Sequence, residues 1–342
     1  MIRTTSTDAG TTWRRIVEGS PDASLAHAPE WLPIIQRTYG HDPVYLTAED
    51  DDGGGAVLPA FVVRRPFFGT VVTSMPFLDS GGPCGSSPGL KRILIEHLIA
   101  EARRIGAKSI ELRSSLALDI GGRLADHKVN MTLPMPEDVD RLWRHMDKDV
   151  RNQIRKAERS GLTIESGGVE RLAPFYDIFA VRMRDLGSPV HATGFLAAVL
   201  AHFGSRARVL IALKGRLPVG GLITIAFKDR LTVPWASCLK EYFPLCPNML
   251  LYWETLRRAC VEGFRRFDFG RSSRDSGTYR FKAQWGARED PLFWYTIPTS
   301  AASADTRAGR WSRVAFLSRT WQHLPLSLTR QVGPRLRGFL IQ

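Results

Sequence analysis

The chain has 342 residues, 44% of them hydrophobic and 24% charged, the composition of a globular protein with room for two cores of ordinary size. No run approaches the roughly 18 to 20 consecutive apolar residues that span a bilayer, and the polar start from Met1 to Gly10 lacks the apolar stretch of a secretory signal, so a cytoplasmic protein is expected. Its 47 Lys and Arg outnumber its 34 Asp and Glu, for a net charge of +13, and such a surplus suits an anionic partner: ligand phosphates, a nucleic-acid backbone or a membrane surface.

In chain order, alternating apolar residues predict strands over Pro43 to Ala48 and Ala56 to Arg65, joined by an acidic, glycine-rich turn, with a short β-branched strand over Phe68 to Thr73. Leu78 to Pro88 is rich in glycine and proline and reads as a shaped loop. Apolar residues at helical period predict a helix over Gly89 to Gly106, and strands follow at Ser109 to Arg113 and Lys128 to Leu133. Pro136 to Gly161 predicts two helices, the second crowded with Lys148, Arg151, Arg155, Lys156 and Arg159. After a short strand from Leu162 to Glu165 come two helices (Val169 to Asp185, Ala192 to Phe203) and three strands (Ala207 to Leu213, Leu217 to Phe227, Leu231 to Ser237). A helix from Asn248 to Glu262, a strand from Arg265 to Asp268, a short helix ending near Gly286 and a final strand from Pro291 to Ile297 complete the pattern. Two helices followed by antiparallel strands and late crossovers argue for an α+β layer fold, and the two halves follow one plan.

The four cysteines form no C-x-x-C pair, and no histidine stands at finger-like spacing, so no metal site is expected. His41 and His145 flank turns or helix ends and read as structural.

Three segments carry a resemblance. Asp149 to Gly161 (DVRNQIRKAERSG), Phe267 to Ser272 (FDFGRS) and Gly277 to Gly286 (GTYRFKAQWG) follow one another as in the FemAB-like family, with weaker likeness at Pro29 to Tyr39 and Pro247 to Trp253. The chain resembles that family over most of residues 25 to 297, and most of all its members that travel with exosortase and exopolysaccharide systems. The resemblance implies two tandem GNAT-like (acyl-CoA N-acyltransferase) domains, 1–146 and 147–299, the second carrying the catalytic motif, and leaves 300–342 as a C-terminal basic amphipathic helical tail. It implies an acyltransferase that moves an amino acid from aminoacyl-tRNA to an amine of a peptidoglycan or exopolysaccharide precursor, and it places Lys282, the Lys of the F-K pair, at the reaction centre.

The chemistry fits that placement. Aminolysis of an ester passes through an oxyanion that a fixed cation can stabilise, and an activated donor needs no covalent enzyme intermediate and no cofactor. Tyr279 and Asp268 flank Lys282 as candidates for accepting a proton. Arg271 could clamp a phosphate or carboxylate in bidentate fashion; Arg151, Asn152, Arg155 and Lys156 could meet substrate phosphates; and Ser272, Phe281 and Trp285 lie within the matched segments as further substrate contacts. A GNAT enzyme holds coenzyme A pyrophosphate on backbone N–H groups of a glycine-rich loop, but the loop here, Cys238 to Asn248 (CLKEYFPLCPN), has no glycine and two prolines that donate nothing. Aminoacyl-tRNA is therefore the expected donor and acyl-CoA the competing one, with a lipid-linked or nucleotide-linked glycan as acceptor; a non-catalytic GNAT scaffold is the third reading. The tail holds seven arginines against one acid, Asp305, among apolar residues at helical spacing (Trp311, Val314, Leu317, Trp321, Leu324), a pattern suited to the face of an anionic membrane.

Overall fold

The computed structural model describes residues 2–5, 10–66, 68–300 and 317–340. They gather into two compact units: one runs to Val129 and takes in Pro291 to 300 and 338–340, and the other holds Asn130–Asp290 with 317–337.

The first unit starts with β1 (Ile2–Thr5), α1 (Gly10–Gly19) and α2 (Trp31–Tyr39). An antiparallel meander follows, β2 (Asp42–Glu49), β3 (Gly55–Arg65) and β4 (Gly69–Thr73). α3 (Pro88–Arg104) then carries the chain over to β6 (Ser109–Ser114), which runs parallel to β4. A parallel neighbour needs a crossover, and α3 supplies it by burying Leu94, Ile95, Leu98 and Ala102 against the sheet. The segment read as a loop contains a two-residue strand, β5 (Cys84–Gly85), against Ala56 and Val57 of β3. Gly85 has φ +149°, and a Cβ there would stand 2.2 Å from the Gly55 carbonyl oxygen, so only glycine allows the approach.

The second unit repeats the plan. β9 (Leu162–Gly167), α6 (Leu172–Asp185) and α7 (Thr193–Phe203) precede the meander β10 (Ala207–Lys214), β11 (Leu217–Phe227) and β12 (Arg230–Cys238). The crossover helix α8 (Pro247–Val261) leads to β13 (Arg266–Ser273), parallel to β12, and α9 (Gly277–Ala283) follows. Two helices stand ahead of this set, α4 (Val139–His145) and α5 (Lys148–Arg159).

The remaining strands are routed crosswise. β7 (Arg123–Ala125) belongs to the first sheet, but β8 (Lys128–Pro134), a few residues later, joins the second sheet beside β13. β14 (Arg288–Pro291) edges the second sheet, and β15 (Phe293–Pro298) returns to pair antiparallel with β6 in the first. The sheet orders β1-β2-β3-β4-β6-β15-β7 and β9-β10-β11-β12-β13-β8-β14 are therefore the same order twice. The last strand, expected to end the domain at 147–299, is part of the first unit's sheet, and the first unit itself closes at Val129 instead of residue 146.

Residues 317–322 are helical and α10 (Leu326–Phe339) follows; Trp311 and Val314 of the expected tail lie outside the described residues. One side of this segment packs on the second unit. Trp321 and Thr329 are buried, Gly333 faces Val190, Arg330 pairs with Asp177, and Gln322 donates to the Asp185 carbonyl at 3.1 Å. Leu317, Leu328, Leu336 and Leu340 are exposed. Among the described residues no helix is long and apolar enough to cross a membrane.

His191, between α6 and α7, is 1% exposed, stacks on Phe195 at 4.7 Å and meets the edge of Trp235. Arg337 of α10 donates Nε–H to its Nε2 at 3.2 Å, and the Tyr176 hydroxyl donates to its carbonyl. Burial first, and the Arg337 charge second, hold this imidazole's pKa well below 6.5. An unfolded histidine takes up a proton as pH falls through about 6.5 while the folded one does not, so stability present above that pH is lost below it. The thermal midpoint should fall between about pH 7.5 and pH 5.5, and less steeply in His191→Phe; equal falls in both proteins would remove His191 as a source.

Candidate active site

β12 and β13 pair over three residues only, Arg230, Leu231 and Thr232 against Arg266, Phe267 and Asp268. β12 continues to Cys238 with β11 as its partner, and β13 continues to Ser273, so beyond these pairs the two parallel strands part. Backbone groups along the parted edge need partners other than a ladder.

On β13 the parting is accompanied by a kink. Gly270 has φ +76°, a conformation that costs glycine little and other residues more. The kink is held from behind by Asp268, 7% exposed, whose Oδ1 accepts from the Gly270 N–H at 2.8 Å and from Asn130 Nδ2 at 2.9 Å, while Oδ2 stands 3.6 Å from Arg230. In a regular strand successive residues face opposite ways. Here the carbonyls of two successive residues, Gly270 and Arg271, meet at one point: each accepts from Lys282 Nζ at 2.8 Å. Lys282, on α9, is 7% exposed. Two of the three N–H groups of a buried ammonium are thereby committed to β13.

α9 is started by Ser276, whose hydroxyl accepts from the Tyr279 N–H at 3.1 Å, and is fixed by aromatic packing. Phe281 meets Tyr252 of α8 at 5.1 Å, Trp285 lies 6.3 Å from both, and Tyr252 stacks on Phe269 of β13 at 5.4 Å. Trp285 is 4% exposed, so its ring contacts are with the protein; its Nε1 and the Oγ of Ser272, 3% exposed, are buried without hydrogen-bond partners. Arg271 is half-buried inside β13, which runs five residues beyond the expected end at Asp268.

The two candidates for a base are differently employed. The Asp268 carboxylate is taken up by its three partners. Tyr279 donates to Glu289, which raises the phenol's pKa, and Glu289, also bound by Arg274 at 3.0 Å, is held below the usual carboxylate range. A phenol shifted in that direction keeps its proton near neutrality and can donate a hydrogen bond, but it is a poor proton acceptor. Nothing local marks Asn130, Arg230 or Tyr252, whose partners stand far along the chain, and Glu289, much nearer to Tyr279, has no signal of its own in the sequence.

The α5 group lies elsewhere. α5 buries Val150, Ile154 and Ala157 and packs against α8. Asn152, Arg155 and Lys156 are exposed and Arg151 is half-buried, with the Arg155 guanidinium 5.4 Å from the Trp143 ring centre. Trp143 in turn meets Trp253 at 4.9 Å. Neighbouring residues of α8 thus serve two groups, Tyr252 toward α9 and Trp253 toward α4 and α5.

In the loop leading to α8, Pro244 and Pro247 have no N–H, and the N–H groups of Leu239, Tyr242, Cys246, Met249 and Leu250 are spent on carbonyls of the chain. The side chains beside it are cationic: Lys240 stands 3.9 Å from Asp185, which also pairs with Arg182 and Arg184, and the Arg182 guanidinium lies over Phe243. In the first unit the equivalent opening is bridged. As the chain leaves β4, Ser74 N–H donates to the Glu111 carbonyl at 2.9 Å, Ser74 Oγ accepts from Arg113 N–H at 2.8 Å, and the buried Arg113 guanidinium donates to the Leu78 carbonyl at 2.6 Å.

Parallel strands that part after a helical crossover define the GNAT fold, here in tandem. Residues 144–283 match the family model of an acetyltransferase (GNAT) domain. The chain is similar in structure to FemX (TM-score 0.65, 13% identity, 84% of this chain and 96% of that one). It is similar also to the C-terminal domain of a proposed lysylphosphatidylglycerol synthetase from Agrobacterium fabrum (TM-score 0.54, 14% identity, 84% and 90%) and to a tandem GNAT protein of the clavulanic acid biosynthesis pathway (0.55, 13%, 88% and 99%). No curated protein sequence matches. Residues 144–283 thus match an acetyltransferase (GNAT) domain, and the fold of the chain is that of tandem GNAT proteins.

Asp268→Ala strands the Asn130 amide, the Gly270 N–H and the Arg230 charge together. It should cost about 2–4 kcal/mol of folding free energy in denaturant titration; a loss within about 0.5 kcal/mol of zero would show that the kink holds without it.

Proposed function

We propose that the second unit joins an aminoacyl group, carried as an ester on tRNA, to an amine of a cell-envelope precursor or exopolysaccharide component. The observation that carries this reading is the buried Lys282 ammonium, held by two carbonyls of β13 just past its last pair with β12. The acceptor nitrogen attacks the ester carbonyl carbon, an oxyanion forms, and the C–O bond to the tRNA breaks as the amide forms. The nitrogen gives up a proton and the departing tRNA hydroxyl gains one. Lys282 faces the oxyanion, and the kink at Gly270 fixes the ammonium before the reaction begins, so little reorganisation is needed. Tyr279, its one O–H given to Glu289, takes no proton from the acceptor.

The donor loop favours RNA. The N–H groups of Leu239, Tyr242 and Cys246 are spent and Pro244 has none, so a pyrophosphate finds few backbone donors there, whereas Arg182, Arg184 and Lys240 suit backbone phosphates. The likeness to FemX, and to a domain whose name sets a lysyl group on a lipid, supports aminoacyl transfer in an envelope setting. A second reading, acyl-CoA-dependent N-acylation of an amino sugar or lipid-linked glycan, is favoured by the match to an acetyltransferase domain and by the clavulanic acid pathway protein, whose description mentions AcCoA. An association with exosortase systems rests on the sequence resemblance. Labelled aminoacyl-tRNA and labelled acyl-CoA, each offered with an extracted pool of lipid-linked glycans, separate the readings: label should pass to the pool from the tRNA only, and passage from acyl-CoA alone overturns the donor assignment.

Lys282→Ala should lower kcat by roughly 100-fold or more with a small change in KM, since the interaction is made in the transition state. Because the variant also strips two carbonyls of their donor, thermal unfolding is measured beside it. A folded variant with wild-type kcat would remove Lys282 from the chemistry.

The exposed Leu328, Leu336 and Leu340, with Arg335 among them, give α10 and the residue after it an outer side suited to the surface of an anionic membrane. Leu328→Glu with Leu336→Glu alters that side and spares the packed one, and it should reduce sedimentation with anionic vesicles. Unchanged sedimentation would place the membrane contact elsewhere.

A further inference from the structure

An exposed aromatic ring stands among the cations of the loop before α8. Lys240–Leu245 forms a short 3-10 helix with Pro244 inside it, and Cys246 follows in the left-handed region at φ +60°. The turn is closed by its own backbone: Tyr242 N–H donates to the Leu239 carbonyl at 3.2 Å and Cys246 N–H to the Phe243 carbonyl at 3.0 Å. On this pinned turn Phe243 stays 44% exposed, with the Arg182 guanidinium 5.3 Å from its ring centre. Arg182, Arg184 and Lys240 share the Asp185 carboxylate, at 3.4, 3.0 and 3.9 Å. With Glu241 of the loop counted too, the cations still outnumber the acids, and Lys240 is the most exposed of the three and the loosest in its pairing. The first turn of α8, which follows directly, touches the end of α9: Gln284 Nε2, two residues beyond Lys282, lies 3.9 Å from Met249 Sδ.

We infer that Phe243 is a stacking platform for an unpaired base at the 3′ end of the donor tRNA, with Lys240 on a neighbouring phosphate; the inference rests on the aminoacyl-tRNA reading above. The ester of an aminoacyl-tRNA sits on the terminal ribose, so the nucleotides that come nearest the reaction are single-stranded and have free faces. Sites for single strands combine cations that follow the phosphates with aromatic rings on which bases stack, and such stacking tolerates any sequence because every base has a π-face. The loop before α8 has both parts within a few residues, and the guanidinium over the ring continues the stack that a base begins. Because the turn is already bonded to itself, the ring is placed before binding and little ordering entropy is lost. Leu186, exposed beside Asp185, is a second apolar group that a lipid surface would hold but that offers a base no flat face, so the two occupants are told apart by substitution.

Fluorescence anisotropy of uncharged tRNA labelled at its 5′ end, intact and trimmed of its unpaired 3′ nucleotides, tests this with the full chain. Wild type should bind the intact form more tightly. Phe243→Ala should weaken binding of intact tRNA about tenfold, remove the difference between the two forms, and leave the salt dependence as it was, since no charge is lost. Phe243→Leu keeps the apolar bulk and should lose as much, whereas Phe243→Trp should retain the affinity. Lys240→Gln should instead flatten the dependence of log affinity on log salt by about 0.7, the loss of one single-strand phosphate contact. Equal binding of the two tRNA forms by wild type, or wild-type affinity in Phe243→Leu, would overturn the inference and leave aminoacyl transfer standing, because label transfer decides that separately. No tRNA binding at all would overturn both. Reduced sedimentation with anionic vesicles in Phe243→Ala and Leu186→Ser, at unchanged tRNA affinity, would overturn it by assigning the loop to lipid.

Discussion

The site depends on where a β-ladder stops. Two parallel strands that pair over three residues and then part leave peptide groups along the opening that no neighbouring strand can satisfy, and in a buried setting each such group costs on the order of 1–3 kcal/mol. β13 meets this cost by turning at Gly270, so that two successive carbonyls converge, and by receiving an ammonium from α9. A positive charge is normally expensive to bury. Here the Gly270 and Arg271 carbonyls lower that cost by accepting hydrogen bonds from it. One side chain thereby satisfies two backbone carbonyls and is itself fixed, although it stands on a helix of seven residues.

The same problem is solved the other way in the first unit. There the chain leaving β4 stays bonded to β6 through Ser74, and the buried cation of that sheet, Arg113, is spent on the Leu78 carbonyl under the loop. Identical strand order therefore gives one bridged strand pair and one parted pair. What distinguishes them is a few side chains at the end of one strand, and this is the physical reason for assigning the chemistry to the second unit.

Most strands and helices of the meanders were legible in the sequence, because β10 to β12 and α8 follow the apolar periods of a sheet and of the helix that covers it. Other features were not. β15 has a strand's pattern, but its partner in Ser109–Ser114 lies nearly two hundred residues back, and no local signal tells a chain which of two equivalent sheets to join. α1 passed unnoticed because only Trp13, Ile16 and Val17 mark its buried side. β13 was cut short at Asp268 because glycine followed by Arg and Ser resembles a loop; contacts from Asp268 and Lys282 keep it extended. Family likeness led to Lys282, but its two acceptors, eleven and twelve residues earlier, could only come from the fold. Trp285 shows the converse: a motif residue expected at the substrate is largely enclosed in the packing of α8, α9 and β13.

Charge is the remaining thread. A net +13 reads in sequence as one undivided attraction for anions, but the fold divides it. Arg113 and Lys282 are buried and bonded to backbone, so they contribute to shape and add little to the outer field. Arg330 and Arg337 fasten α10 to the second unit. Among the described residues, exposed cations stand on α5 and at the loop before α8, two places that adjoin one helix. Where backbone N–H groups are spent, binding of phosphate falls to side chains, and side-chain cations in solvent hold phosphates through contacts that salt screens. A pyrophosphate cradle made of backbone would be far less sensitive to salt, so the way this chain uses its loop N–H groups bears directly on which donor it can retain under cellular salt.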